Sequence, residues 1–162
     1  MNIFYLDKDP LVAASYHNDK HCVKMILESA QMLSTAHRLL DDNSDDLLYK
    51  ASYKNHPCTR WVRDSLHHYH WLYRLFNNLG KEYTQRYNKT HLTIDKLSSS
   101  LSLIPKNIPT TEFVEPPQCM PEYCKVEGDS VAAYRNYYIS EKSSFCVWKK
   151  PAVTPAWFIV DE

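Results

Sequence analysis

Two long stretches of the chain carry apolar residues every three or four positions, the spacing that gathers side chains on one face of an α-helix. In the first, Val23, Ile26, Leu27, Ala30 and Leu33 form the apolar arc. Asp9 followed by Pro10 reads as an N-cap with proline at the first helical position, and the acidic run DDNSDD at 41–46 has no apolar member, so a helix over about residues 10–40 is predicted. In the second, Val62, Leu66, Tyr69, Leu72, Phe76, Leu79 and Tyr83 keep the period after Asn55-His56-Pro57, which predicts a helix over 57–87 with its apolar face packed antiparallel on the first. A short helical piece is expected at 47–52, and Leu92, Ile94, Leu97, Leu101 and Ile104 predict a third helix before Pro105. The five prolines of 105–121 read as an ordered surface loop. Asp129 or Ser130 caps a fourth helix that turns Val131, Ala132, Ala133, Tyr137 and Tyr138 inward, and the segments 3–6 and 151–162 read as extended and apolar. The expected fold is therefore mainly α: a compact single-domain helical bundle over 1–162, with two long antiparallel helices and a proline-rich loop.

Composition narrows the function more than the fold. A chain of 162 residues with 19 basic and 19 acidic side chains has no net charge, so nothing draws it as a whole toward nucleic acid or an anionic membrane, and any anion site must be local. Only Gly80 and Gly128 are glycines, which excludes glycine-rich phosphate loops. Five cysteines, an odd count, follow an N-terminus without the pattern of a secretory signal, so free thiols and a cytoplasmic location are expected. The pair Cys119-x4-Cys124 has no second pair to complete a zinc site, and neither metal nor cofactor is expected. No apolar run is long enough to span a bilayer.

Candidate chemistry begins with His17, His21, Lys24, Glu28 and Gln31, spaced by four, three, four and three. On one continuous helix they would share a narrow face and could all touch one ligand. A solvated face held by Lys24–Glu28 pairing is the plain alternative. Imidazoles are uncommon on such a face, however, and near neutrality they act as proton donors, anion binders or metal ligands. A cation at Lys24 disfavours metal, which leaves an anionic ligand. A second constellation, His56 with Arg60 and Arg63 at the start of the second helix, offers free amides and positive charge suited to phosphate. Arg86, Lys89 and His91 interleave with aromatics, as do Arg135, Tyr138 and Lys142, and these cations are expected to gather near the histidine stripe.

The stretches NIFYLDKDP, HNDKHCVKMILESAQ, NHPCTRWVR, KEYTQRYNKTH, AYRNYY, EKSSFCVWKK and PAWF resemble a set of small phage proteins. The layout also resembles the pyrimidine-dimer DNA glycosylases of the endonuclease V type. Both open with a very short segment and a long helix carrying a histidine, a charged stripe and a glutamate; a second helix ending near Arg-Tyr and an aromatic C-terminus follow. That resemblance implies an N-terminal α-amine attacking the sugar carbon, Glu28 as the assisting glutamate, His17 as the helix histidine and Lys24 as a phosphate contact. Asn2 is too large for routine removal of Met1, where the family uses a free threonine amine, and the family is basic where this chain is neutral. The expected function is an enzyme of DNA or nucleotide metabolism in a host-cell cytoplasm: a base-excising glycosylase acting on damaged or modified pyrimidine. Glu28 would serve as base or stabiliser, His17 and His21 would orient base or sugar, and Trp61 or Tyr138 would fill the gap left by a displaced base. Binding or hydrolysis of a free nucleotide, and non-enzymatic binding of a host factor, are the alternative readings.

Overall fold

The computed structural model describes residues 1–160. Six α-helices follow in order: α1 Pro10–Tyr16, α2 Asp19–Asp41, α3 Pro57–Asp64, α4 Leu66–Tyr87, α5 Leu92–Leu101 and α6 Ser130–Tyr137. There is no strand among the described residues, and the mainly α expectation holds. Each predicted cap is present: Asp9 accepts from the Leu11 N–H, and Asp129 accepts from the Ala132 N–H. With few glycines available, α2 and α4 stop on Asp42 and Asn88, short polar residues that tolerate the left-handed backbone found there (φ 49° and 56°).

α2 and α4 form the centre and run antiparallel. Asp19 at the start of α2 meets Arg86 at the end of α4, while His37 near the end of α2 bonds the Tyr69 hydroxyl near the start of α4. Ile26, Ala30 and Leu33 pack with Leu72, Phe76 and Leu79 in one contiguous core. The N-terminal segment threads through it: Ile3, Phe4, Tyr5 and Leu6 are all buried. α5 lies so close to α4 that a Cβ at Gly80 would come 2.7 Å from the Ile94 side chain, which explains a glycine inside that helix.

Several expectations are corrected. The predicted 10–40 helix is two helices broken at His17-Asn18, and the predicted 57–87 helix is broken at Ser65. Val23 and Leu27 are 37 % and 40 % exposed rather than core, because the inward face of α2 is set by Cys22, Met25, Ile26 and Ser29. Residues 47–52 hold a turn and no helix, fastened by the Arg38 guanidinium on the Asp45, Leu48 and Tyr49 carbonyls. Leu92, 82 % exposed, stands outside the packing of α5, and Ile104 lies beyond its end. The proline-rich loop is ordered as expected: it bonds Trp61 through the Val114 carbonyl and His68 through the Val114 N–H. The C-terminal segment covers the α1–α2 junction through Trp148 Nε1 to the Tyr16 carbonyl; Asp161 and Glu162 lie outside the described residues.

Candidate active site

Burial of Ile3 to Leu6 delivers the chain start to the outer side of α2. The Met1 α-amino nitrogen lies 3.5 Å from Glu28 Oε1, and Lys24 Nζ lies 3.8 Å from Oε2. Glu28 is thus flanked by two positive charges at 14 % side-chain exposure, while Lys24, 67 % exposed, reaches it from solvent. The carboxylate opens into a cleft of about 200 Å³ bounded by Met1, Asn2, Phe4, His21, Tyr137 and Lys142. A larger hollow of about 550 Å³ lies between α4 and α5, around Gly80 and Ile94, but it brings no acid–base pair together.

His21 forms one wall. Its ring stacks on Phe4 at 4.2 Å, and its Nδ1 is 2.8 Å from the Tyr138 hydroxyl. Burial, then the repulsion of His17, Lys142, Lys24 and Lys20, pushes its pKa down to about 3. His21 is therefore neutral at physiological pH, and it acts as an oriented hydrogen-bonding ring rather than an anion-binding cation. Lys24 and Lys142 line the cleft, and Lys20 stands beside it, with Lys20 and Lys142 both over the Phe145 ring. This is local positive potential in a protein of no net charge.

The remaining predicted residues are distributed differently from the expectation. His17 does not share the stripe: it caps the end of α1, its Nδ1 bonds the Ala13 carbonyl, and burial lowers its pKa to about 4. Gln31 continues along α2 beyond the cleft. Arg86 is a buried clamp and no ligand contact, bonding the His17 and Ser15 carbonyls and the Asp19 and Glu82 carboxylates. Arg135 bonds the Leu6 carbonyl and Asp7, and His91 caps α5. Lys89 is exposed just past the end of α4, away from the cleft lining. Arg63 donates to the Lys54 carbonyl and Arg60 reaches Asn55 at 3.5 Å, with Arg60 exposed at a surface hollow of about 390 Å³ apart from the cleft. His56 caps α3 close enough to the Met1 amine and Glu28 to sense both charges. Trp61 and Tyr138 are buried and cannot enter a DNA gap. Of the five cations expected around the stripe, only Lys142 lines the cleft.

The residues that sequence reasoning missed are the Met1 amine, Phe4, Lys20 and Tyr137. Lys20 was legible as the i−4 neighbour of Lys24; the others depend on where the N-terminal segment and α6 dock, which no local spacing reports. In chemical terms the cleft pairs a primary amine with a carboxylate, away from bulk water and beside lysines. A primary amine in its neutral form is a nucleophile toward an electron-poor carbon.

A family model described as pyrimidine dimer DNA glycosylase matches residues 1–95. The chain belongs to that family. The matched part holds Met1, His21, Lys24 and Glu28, hence the whole amine–carboxylate pair, while Tyr137, Tyr138 and Lys142 come from the part beyond it. No curated protein and no solved structure matches the chain. Among the described residues no helix is long and apolar enough to cross a membrane.

Proposed function

We propose that this glycosylase-family chain excises a damaged or modified pyrimidine from DNA, with the Met1 α-amine as nucleophile and Glu28 as the group that takes its proton. The observation that carries the reading is the 3.5 Å approach of the Met1 nitrogen to Glu28 inside the cleft. The neutral amine attacks the anomeric carbon as the bond to the base breaks. Glu28 takes a proton from the attacking nitrogen and passes it to the base, which leaves with its electron pair. The sugar ring then opens as the second nitrogen proton moves to the ring oxygen, leaving an imine. Once the first proton has passed to the base, the Glu28 carboxylate stands at short range beside the positive charge that develops on the sugar as its ring opens. Phe4 and His21 present a stacked pair of rings against which a base or sugar can be held, and Tyr138 and Asn18 fix the His21 ring. Lys24 and Lys142 in the cleft lining, with Lys20 beside them, are the cations placed to contact phosphate.

The test is Glu28→Gln on ultraviolet-irradiated duplex DNA, with a free-nucleotide panel alongside. The variant keeps its melting temperature and DNA binding and loses turnover by about a hundredfold or more. Borohydride traps a covalent imine between the parent protein and DNA, and one extra residue placed before Met1 abolishes that trap. Unchanged turnover in Glu28→Gln, or trapping that survives the extension, removes this assignment.

A further inference from the structure

Outside the cleft, one cluster of chemically reactive side chains has no part in the proposed reaction. Cys58 in the first turn of α3, Cys119 in the proline-rich loop and His56 at the α3 cap present one donor atom each, all within 4.8 Å of one another. The two sulfurs are 3.8 Å apart. Two thiolates bound tetrahedrally at about 2.3 Å from zinc stand about 3.8 Å apart, so the sulfurs already have the spacing of one tetrahedral edge. We infer that Cys58, Cys119 and His56 bind a zinc-class divalent cation, the fourth position being left to water.

The surroundings support such a site. Cys58 Sγ also lies 4.0 Å from the Tyr134 hydroxyl, a polar neighbour within reach of a metal-bound thiolate. Asn2 Nδ2 donates to the Cys119 carbonyl at 3.1 Å, and the Cys119 N–H donates to the Tyr134 hydroxyl at 3.4 Å, so Cys119 is held from both sides. His56 Nδ1 accepts the Cys58 N–H (3.1 Å), which holds the imidazole beside the sulfurs; binding the cation through this ring would replace that bond, since a neutral imidazole has one lone pair to give. Cys58 is fully buried, whereas His56 and Cys119 are half-buried and leave an entry path. Binding converts two thiols to thiolates and releases two protons; with a neutral imidazole the cation and its ligands then carry no net charge, which suits a site removed from water. The cation would join the loop to α3 beside Asn2 and Ile3, the segment that leads to Met1. Cys119 lies beyond the family match, so the ligand set spans the matched and unmatched parts of the chain. The site is independent of the glycosylase reading, because its occupancy is measured without substrate.

The experiment uses the full chain, reduced and stripped with chelator, titrated with cobalt(II) and then with zinc(II). One equivalent of cobalt produces thiolate-to-metal absorption in the near ultraviolet, two protons are released per cation in weak buffer, and zinc displaces the cobalt and raises the melting temperature by several degrees. Cys119→Ser and Cys58→Ser abolish the absorption, and His56→Gln weakens cobalt binding by about tenfold or more. Cys124→Ser, which lies outside the cluster, leaves binding unchanged. Should the buried Cys58→Ser fail to fold, Cys119→Ser and His56→Gln decide the matter alone. Absence of the absorption in the reduced parent overturns the site, as does its persistence in Cys119→Ser. A parent that forms a Cys58–Cys119 disulfide in air and binds no cobalt after reduction also overturns it.

Discussion

The two long apolar patterns are each interrupted once, at His17-Asn18 and at Ser65, and the interruptions are built from different chemistry. At His17-Asn18 the end of α1 is closed by a buried guanidinium: Arg86 donates to the Ser15 and His17 carbonyls and pairs with Asp19 and Glu82. Positive charge there complements the carbonyl end of α1 as well as the two carboxylates. Asn18 restarts the chain by capping α2 through the His21 N–H, and its N–H reaches the Tyr138 hydroxyl, which holds His21 in the cleft wall. At Ser65 the bonds are neutral. Ser65 Oγ accepts from the His67 N–H and donates to the Thr111 carbonyl, and the Leu66 N–H donates to Pro109. The first break is wired to the candidate active site, whereas the second only fastens the proline-rich loop. The break beside the candidate site is held by charge; the break at the loop is held by neutral bonds alone.

The largest test of that contrast is Arg86→Ala. Removing one partner from a buried ionic cluster leaves Asp19, Glu82 and two carbonyls short of donors, so stability falls by about 3–5 kcal/mol. Because the same clamp sets the α1–α2 junction, turnover on damaged DNA falls with it even at temperatures where the variant stays folded. Urea unfolding alongside an activity assay measures both, and activity that survives intact would separate the break from the site.

A smaller effect comes from pH. His17 and His21 are held neutral by burial, with folded pKa values of about 4 and about 3 against an ordinary value of 6.5. The unfolded chain binds protons that the folded chain refuses, so stability is fully present above pH 6.5 and is lost as pH falls toward the folded values. From about pH 7 to about pH 5.5 the two together cost about 2 kcal/mol. His68, beside the second break, shifts in the same direction through burial and adds to the loss. Denaturation midpoints across this window check the slope, and histidine ring resonances that stay neutral at pH 5 identify the two residues.

The smallest expected effect is Ser65→Ala, which removes one cap and one bond to the loop and costs about 1 kcal/mol. Turnover should not change, since no bond of this break leads to the cleft. A Ser65→Ala protein with impaired turnover at full folding would show that the two breaks are coupled.

Local grammar in the sequence was enough to read the caps at Asp9 and Asp129, the apolar face of α4, the acidic end of α2, and the alignment of Lys24 with Glu28. Each of these is decided within one or two helical turns by groups that cannot avoid one another. Continuous periodicity, by contrast, concealed both breaks. An apolar period survives a two-residue kink, and the groups that make each kink affordable lie far along the chain, Arg86 in one case and Thr111 in the other. His17 looked like a member of the stripe only while the helix was taken as unbroken. The candidate site divides in the same way. Glu28 and Lys24 were visible as an i, i+4 pair, but the amine of Met1 and the rings of Phe4 and Tyr137 join them only because the buried N-terminal segment and α6 dock against α2. The cysteine cluster follows suit: Cys58 and Cys119 are 61 residues apart, and spacing rules look only nearby. What the sequence determined by itself was helical content, capping and the local pairing of charge, because short-range sterics and hydrogen bonding settle those. The tertiary structure decided which polar groups meet, because burial of apolar segments from distant parts of the chain sets their positions, and buried polar atoms must then find partners wherever the packing brings them.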